Sequence, residues 1–252
     1  MSPRAACDIE ALADDAWLLR FGDRIDPELN AAVHAMAARL RARQPGWLRD
    51  LVPAYASLGV FFDPAEDAAR VHGELLALVD EASPTVSGQR ASGGDCSPLP
   101  LLAGEGVPRL VEIPVLYGGE HGSDLESSAS ELGLSPAELI ARHTAGDYTV
   151  AMIGFAPGFP YLSGLDPALA LPRLATPRAR VAAGSVAIGG AQTGIYPRES
   201  PGGWRVLGRT PWVLFDPDRQ APTRLLPGDR VRFRAIDADE FARLGRGQDT
   251  AS

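Results

Sequence analysis

The chain has 252 residues, 45% hydrophobic and 22% charged, with a net charge of −8. That size and balance suit one large domain or two small ones, and the acidic balance argues against non-specific nucleic-acid binding. No apolar run approaches the ~20 residues that a membrane-spanning helix needs.

The first residues (MSPRAACDIEALADDAW) mix acids into the start and show no secretory signal. Cys7 and Cys96 are the only cysteines and lie in no metal-binding spacing, which predicts a reducing, cytoplasmic setting. Every basic residue apart from four histidines is arginine. The absence of lysine excludes a Walker A loop, a Schiff-base lysine, lysine-dependent serine amidase chemistry and the attachment of biotin to this chain. No G-x-S-x-G elbow occurs. The histidines are scattered and predict no metal site.

Residues 16–21 (AWLLRF) read as a first strand. Asp26-Pro27 supply an N-cap and first helical position, and Leu29, Val33, Met36 and Leu40 follow at helical spacing. His34 falls on the opposite face, which predicts exposure. Residues 56–62 (ASLGVFF) read as a second strand, with Asp63-Pro64 opening a helix through Ala68, Val71, Leu75, Leu78 and Val79. His72 flanks that stripe as a boundary residue. Strand, helix, strand, helix makes a small α/β unit with helices on one sheet face. Residues 83–107, rich in Ser, Gly and Pro, read as a flexible loop.

Residues 110–117 (LVEIPVLY) return to strand. Two short helices are predicted over 124–132 and 135–143, the second opened by the capping box Ser135-Pro136-Ala137-Glu138. His143 then sits in the last turn, where the helix dipole favours the protonated imidazole. It either bonds a carbonyl or serves the segment that follows.

That segment, 152–211, repeats Gly and Pro every few residues beside aromatics, Arg and Gln. Strand-like runs (TVAMIGF, ARVAAGSVAIG, WRVLG, PWVLF) predict turn-dense β structure rather than disorder. From 152 to 212 there are six arginines against two acids, a net of +4 in an acidic chain. Either these arginines form a solvated β surface, or some face a carboxylate or phosphate. Loops of this kind on a barrel rim wall a concave site. Further on, Val231, Phe233 and Ala235 alternate with Arg230, Arg232 and Arg234, so that one face is buried and the arginine face is wet. Residues 238–244 read as a short terminal helix.

Specific motifs run through the second half: His143-Thr144, Gly154-Phe155 to Tyr161-Leu162, Pro172-Arg173, Pro177-Arg178, Gly184-Ser185-Val186, Gly189 to Pro197, Pro201 to Trp204 and Gly208 to Pro211. By these the sequence resembles the KipI / PxpB family of 5-oxoprolinase B-type subunits, also called allophanate hydrolase subunit 1. Phe21-Gly22-Asp23 and Val52-Pro53-Ala54-Tyr55 extend the resemblance weakly into the first half, and Ala182 stands where the family pattern has proline. The resemblance implies an α+β fold. An N-terminal small α/β sandwich domain (1–108, with the loop 83–107) precedes a C-terminal cyclophilin-like β-barrel domain (109–252).

It also implies one component of an ATP-dependent 5-oxoprolinase, inactive alone, that cleaves 5-oxo-L-proline to L-glutamate. The partners implied are a homologous C-type subunit, then a third of A type, with no nucleic acid and no membrane. ATP with Mg2+ is expected in a partner or at the subunit interface. On this reading Arg198 and Arg209 face the anion with Arg178 behind them, and His143 acts as acid or hydrogen-bond donor. Gln192, Thr193 and Tyr196 orient a small carboxylate substrate, and Phe159, Tyr161 and Trp204 wall its pocket. The alternatives are a KipI-like inhibitor of a histidine kinase, holding a peptide in an aromatic groove, and the carboxyltransferase component of a urea carboxylase-like, biotin-dependent enzyme.

Overall fold

The computed structural model describes residues 7–82 and 109–249. The expected loop 83–107, the expected boundary at 108 and Cys96 lie outside the described residues. The fold is α+β, and the chain divides into two compact units, Met1–Val107 and Pro108–Ser252.

In the first unit, β1 (Asp8–Ala13) and β2 (Ala16–Arg20) precede α1 (Pro27–Arg43), β3 (Leu48–Pro53), β4 (Ser57–Phe62) and α2 (Ala68–Ala82). The sheet runs β1-β2-β4-β3, antiparallel throughout. Asp26 caps α1 through the N–H groups of Glu28 and Leu29, with Pro27 behind it, as its spacing predicts. Val33, Met36 and Leu40 of α1 and Val71, Leu75 and Leu78 of α2 bury against Leu19, Leu58, Val60 and Phe62. Two strands escape the sequence pattern. β1 turns mostly polar or exposed side chains outward, and both β1 and β3 carry a bulge that breaks the alternation. α2 begins later than expected, because Asp63 closes a turn on Ala65 and Glu66 while Asp67 caps the helix through the Ala69 N–H. His34 is half-buried rather than exposed, and His72 packs at a tilt against Trp17 at the edge of the core.

The second unit begins with β5 (Leu110–Tyr117), a 3-10 turn at Gly119–His121, α3 (Leu125–Leu132) and α4 (Pro136–Ala145). Then follow β6 (Tyr148–Ile153), β7 (Pro160–Ser163), β8 (Arg178–Val181), β9 (Ser185–Gly189), β10 (Gln192–Ile195), β11 (Ser200–Gly202), β12 (Arg205–Arg209), β13 (Arg230–Ala235) and α5 (Ala238–Asp249). Seven strands close a barrel in the order β10-β7-β6-β13-β5-β12-β9, and β8 pairs with β11 as a separate ribbon. Closure leaves the barrel without open edges. Its one parallel pairing, β13 on β5, holds six residues in register.

Ile113, Val115, Val150, Leu162, Val186, Ile188 and Phe233 fill the interior. Arg230 and Arg232 face outward, as their alternation predicts, and both pair with Asp147. The run PWVLF is not a strand: Pro211 has no N–H to give, and Phe215 makes a single bridge to Thr223.

Aromatic rings sit directly on barrel glycines. A Cβ built on Gly189 would lie 2.7 Å from the Trp204 indole, and one on Gly194 would lie 3.1 Å from Phe159. The recurrence of glycine beside aromatics follows from this close approach. Gly189→Ala should therefore lower stability by about 1–3 kcal/mol, the cost of overpacking a filled site. Urea unfolding with near-UV circular dichroism measures it, and unchanged stability would contradict the packing.

Candidate functional site

The Gly/Pro-rich segment sends its side chains in two directions. Phe159 meets Tyr196 and Trp204 edge to face, with centroids 5.2 and 5.7 Å away and planes at 89° and 90°. All three rings are buried, and Tyr161 lies half-buried against Phe159 and Trp204. Burial raises the Tyr196 phenol above its usual range. Phe155 alone of this set is widely exposed, at 65%, on a left-handed backbone with φ of 68° that a bulky residue adopts only under constraint.

The other direction leads to a cavity of about 230 Å³. Arg178 and Arg180 on β8, Ser185 on β9 and Arg209 on β12 line it, with His121 and Ser123 facing them. Pairing of Arg209 with Ser185 across β12 and β9 sets those two side by side. Gly184, at φ 81°, allows the turn before Ser185 to press on the Thr210 carbonyl, where a Cβ would come within 2.4 Å.

Asp124 anchors the wall. It stands just before α3 yet makes no side-chain cap for it. Its buried carboxylate instead accepts from the Val206 N–H at 2.7 Å and from Arg178 Nη2 at 2.5 Å. Arg180 is held bidentately by Glu199 at 2.8 and 3.0 Å. Arg209 donates Nε to the Ala183 carbonyl at 2.7 Å, and among the described residues no carboxylate pairs with it. Such a wall of guanidinium groups can receive an oxyanion.

His143 lies elsewhere, buried in the barrel core and stacked on Phe233 at 4.6 Å. Thr193 Oγ1 donates to the Ala187 carbonyl, so it accepts from His143 Nε2–H at 3.1 Å. His143 Nδ1 then accepts from the Tyr117 hydroxyl at 2.7 Å. This bonding assigns the neutral Nε2–H tautomer. Desolvation pushes the imidazole down to about 3, which reverses the expectation that the helix end keeps it protonated: burial outweighs the dipole.

A family model described as "Carboxyltransferase domain, subdomain C and D" matches residues 7–225. A Bacillus subtilis protein, named as the B-type subunit of 5-oxoprolinase, is 42% identical over 234 residues, covering 92% of this chain and 94% of that protein. The chain belongs to the family of 5-oxoprolinase B-type subunits. A Haemophilus influenzae protein of the same name is 55% identical over 125 residues, covering 50% of this chain and 59% of that protein. The solved structure of TTHA0988 is 41% identical with a TM-score of 0.71; the match covers 89% of this chain but only 40% of that longer one.

Within this family member, the residues predicted to share one site do not all meet. Arg178 and Arg209 reach the cavity; Arg198 is exposed and does not line it. Phe159, Tyr196 and Trp204 are core rather than pocket wall, because glycine seats leave no gap beneath their rings. Thr193 is spent on His143 and Ala187, and Gln192 lies half-buried at the start of β10, away from the cavity. His143 is fully buried and is not among the residues that line the cavity, so the part of acid or donor to a guest there does not fit it.

The sequence pattern does not single out His121 and Ser123 of the lining, or Asp124 behind it, since only the turn after β5 brings them there. Ser185 does carry a signal in Gly184-Ser185-Val186, but as a turn, not as a donor.

The depressed His143 pKa has a signed consequence. The unfolded chain takes up the proton first, near pH 6.5, so the stability it contributes is whole above that pH. It is lost as pH falls towards about 3, at about 1.4 kcal/mol per pH unit. Between pH 7.5 and 5 the parent chain should lose roughly 2 kcal/mol more than His143→Gln in urea unfolding. Equal losses would contradict the buried neutral state.

Proposed function

We propose that this chain is one component of an ATP-dependent 5-oxoprolinase, which opens 5-oxo-L-proline to L-glutamate together with two partner subunits. The observation that carries the reading is 42% identity along nearly the whole of a protein named as the B-type subunit of 5-oxoprolinase. The arginine-lined cavity supports it, because the substrate is a small acid and a guanidinium pairs with a carboxylate in two parallel bonds.

The residues of this chain do not fit ATP and its Mg2+. It has no lysine and no phosphate-binding P-loop. The cavity, at about 230 Å³, is below the ~300 Å³ at which sites for larger ligands begin. Among the described residues no cluster of His, Cys, Asp or Glu has the makings of a metal site. Nucleotide and metal are held, on this reading, in a partner subunit or at the subunit interface, and this chain's part is to bind and orient the lactam.

The test is reconstitution. With its two partner subunits the chain should support phosphate release and glutamate formation that depend on 5-oxoproline, and leaving the chain out should abolish both. A complete assembly that hydrolyses ATP without any response to 5-oxoproline would refute the reading.

A further inference from the structure

Phe155 is the most exposed large apolar side chain among the described residues. A solitary exposed apolar side chain is ordinary, but this one is held out on a backbone that resists it. The Ala156 N–H donates to the Gly154 carbonyl at 2.8 Å, two residues back, which makes Phe155 the centre of a γ-turn. Its φ of 68° gives the rare, strained left-handed form rather than the common inverse one. A glycine would take that conformation freely.

Neighbouring bonds fix the strain in place. The Phe159 N–H donates to the Ala156 carbonyl at 3.0 Å across Pro157-Gly158, and Gly158 has φ 76°, the residues and angle of a type II turn. The Gly154 N–H donates to the Phe159 carbonyl at 3.1 Å and closes the connection between β6 and β7. Gly158 is pressed on Phe215, where a Cβ would come within 2.6 Å. The turn is thus rigid, with the Phe155 ring edge to face on Phe159 at 5.5 Å and 78°.

Met152 and Tyr161, both half-buried, flank the turn: a Cβ on Gly154 would lie 2.9 Å from Met152 Cε and 3.9 Å from Tyr161 Cε2. Tyr161 meets Trp204 at 5.8 Å, and the exposed Arg173 lies over the Trp204 ring at 5.8 Å.

Shape and charge select the partner. Small molecules and peptides settle into hollows and grooves, whereas a protruding ring fits a socket on a folded protein. A ring held in one conformation before contact loses little further freedom on docking, and aromatic side chains are enriched at the cores of interfaces. Arg173 adds positive charge near this row, in a segment of net +4. Two copies set face to face would oppose like charges, while an acidic rim would pair with them.

We infer that Phe155 is the anchor by which this chain docks on a partner protein, its ring filling an apolar socket with acidic residues on the Arg173 side. That the partner is a subunit of the assembly rests on the function proposed above; the anchor itself rests on the strained turn.

The full chain and its Phe155→Gly and Arg173→Glu variants are titrated against the C-type and the A-type subunit, each immobilised, and all three chains are unfolded in urea. Phe155→Gly should weaken binding to one of the two subunits by about 30-fold, as the loss of a hot-spot side chain does. Its urea midpoint should hold or rise, because the left-handed strain is released. Arg173→Glu should weaken the same binding by about tenfold at low salt and by less at high salt. Its exposed position keeps the test standing if Phe155→Gly does not fold.

A ring with a merely structural part gives the reverse, a lowered midpoint with binding unchanged. That result, a parent chain that binds neither subunit, or self-association of the chain that Phe155→Gly abolishes would each overturn the anchor. The two readings fail separately. An assembly that turns over 5-oxoproline at the same subunit concentrations with Phe155→Gly as with the parent overturns the anchor alone. An assembly held together through Phe155 that ignores 5-oxoproline supports the anchor and overturns the function.

Discussion

The Asp124 carboxylate ties together the start of α3, strand β12 and the β8 ribbon. One oxygen holds the Val206 N–H and the other holds Arg178. The backbone is tied at the same place, since the Asp124 N–H donates to the Val206 carbonyl. Bonds to an ionised acceptor are about twice as strong as neutral ones. A carboxylate this buried is stable only while those donors stay in place. Arg178 is thereby fixed with its second nitrogen dry, and the position of the cavity wall follows from the anchor.

The rest of the second unit is arranged around the separation of core from cavity. Phe159, Tyr196 and Trp204 are used up in edge-to-face packing on glycine seats, and the Tyr117–His143–Thr193 chain of bonds is enclosed in the barrel. What remains for a guest are guanidinium groups and a hydroxyl on the β8, β9 and β12 side. A rigid, closed barrel suits that division, because donors held on strands keep their geometry before a guest arrives.

Features set by neighbouring residues are legible in the sequence. Asp26-Pro27 and Ser135-Pro136 with Glu138 cap their helices where the spacing places them, and the alternation in β13 marks its buried and wet faces from Arg230 to Phe233, whereas Ala235 at its end is exposed. The surplus of arginine between 152 and 212 points to Arg178 and Arg209. It does not separate them from Arg198, because the direction of a side chain depends on strand register. Asp124 reads as the start of a helix, and its acceptor role needs a strand 82 residues away. The charge of His143 is misread for a similar reason: helix position is local, whereas burial is decided by the whole barrel. Aromatics beside glycines read as the wall of a pocket, and only the distances under the rings distinguish a pocket from a packed core.

The anchor is tested most directly by a double-mutant cycle on Asp124→Asn and Arg178→Gln, with unfolding free energies measured in urea for the parent, both single variants and the double. If the two side chains act as one unit, the cycle gives a coupling of about 1–2 kcal/mol. Effects that add to within about 0.5 kcal/mol would mean that Asp124 and Arg178 contribute independently, and the account of how the cavity wall is held would be wrong.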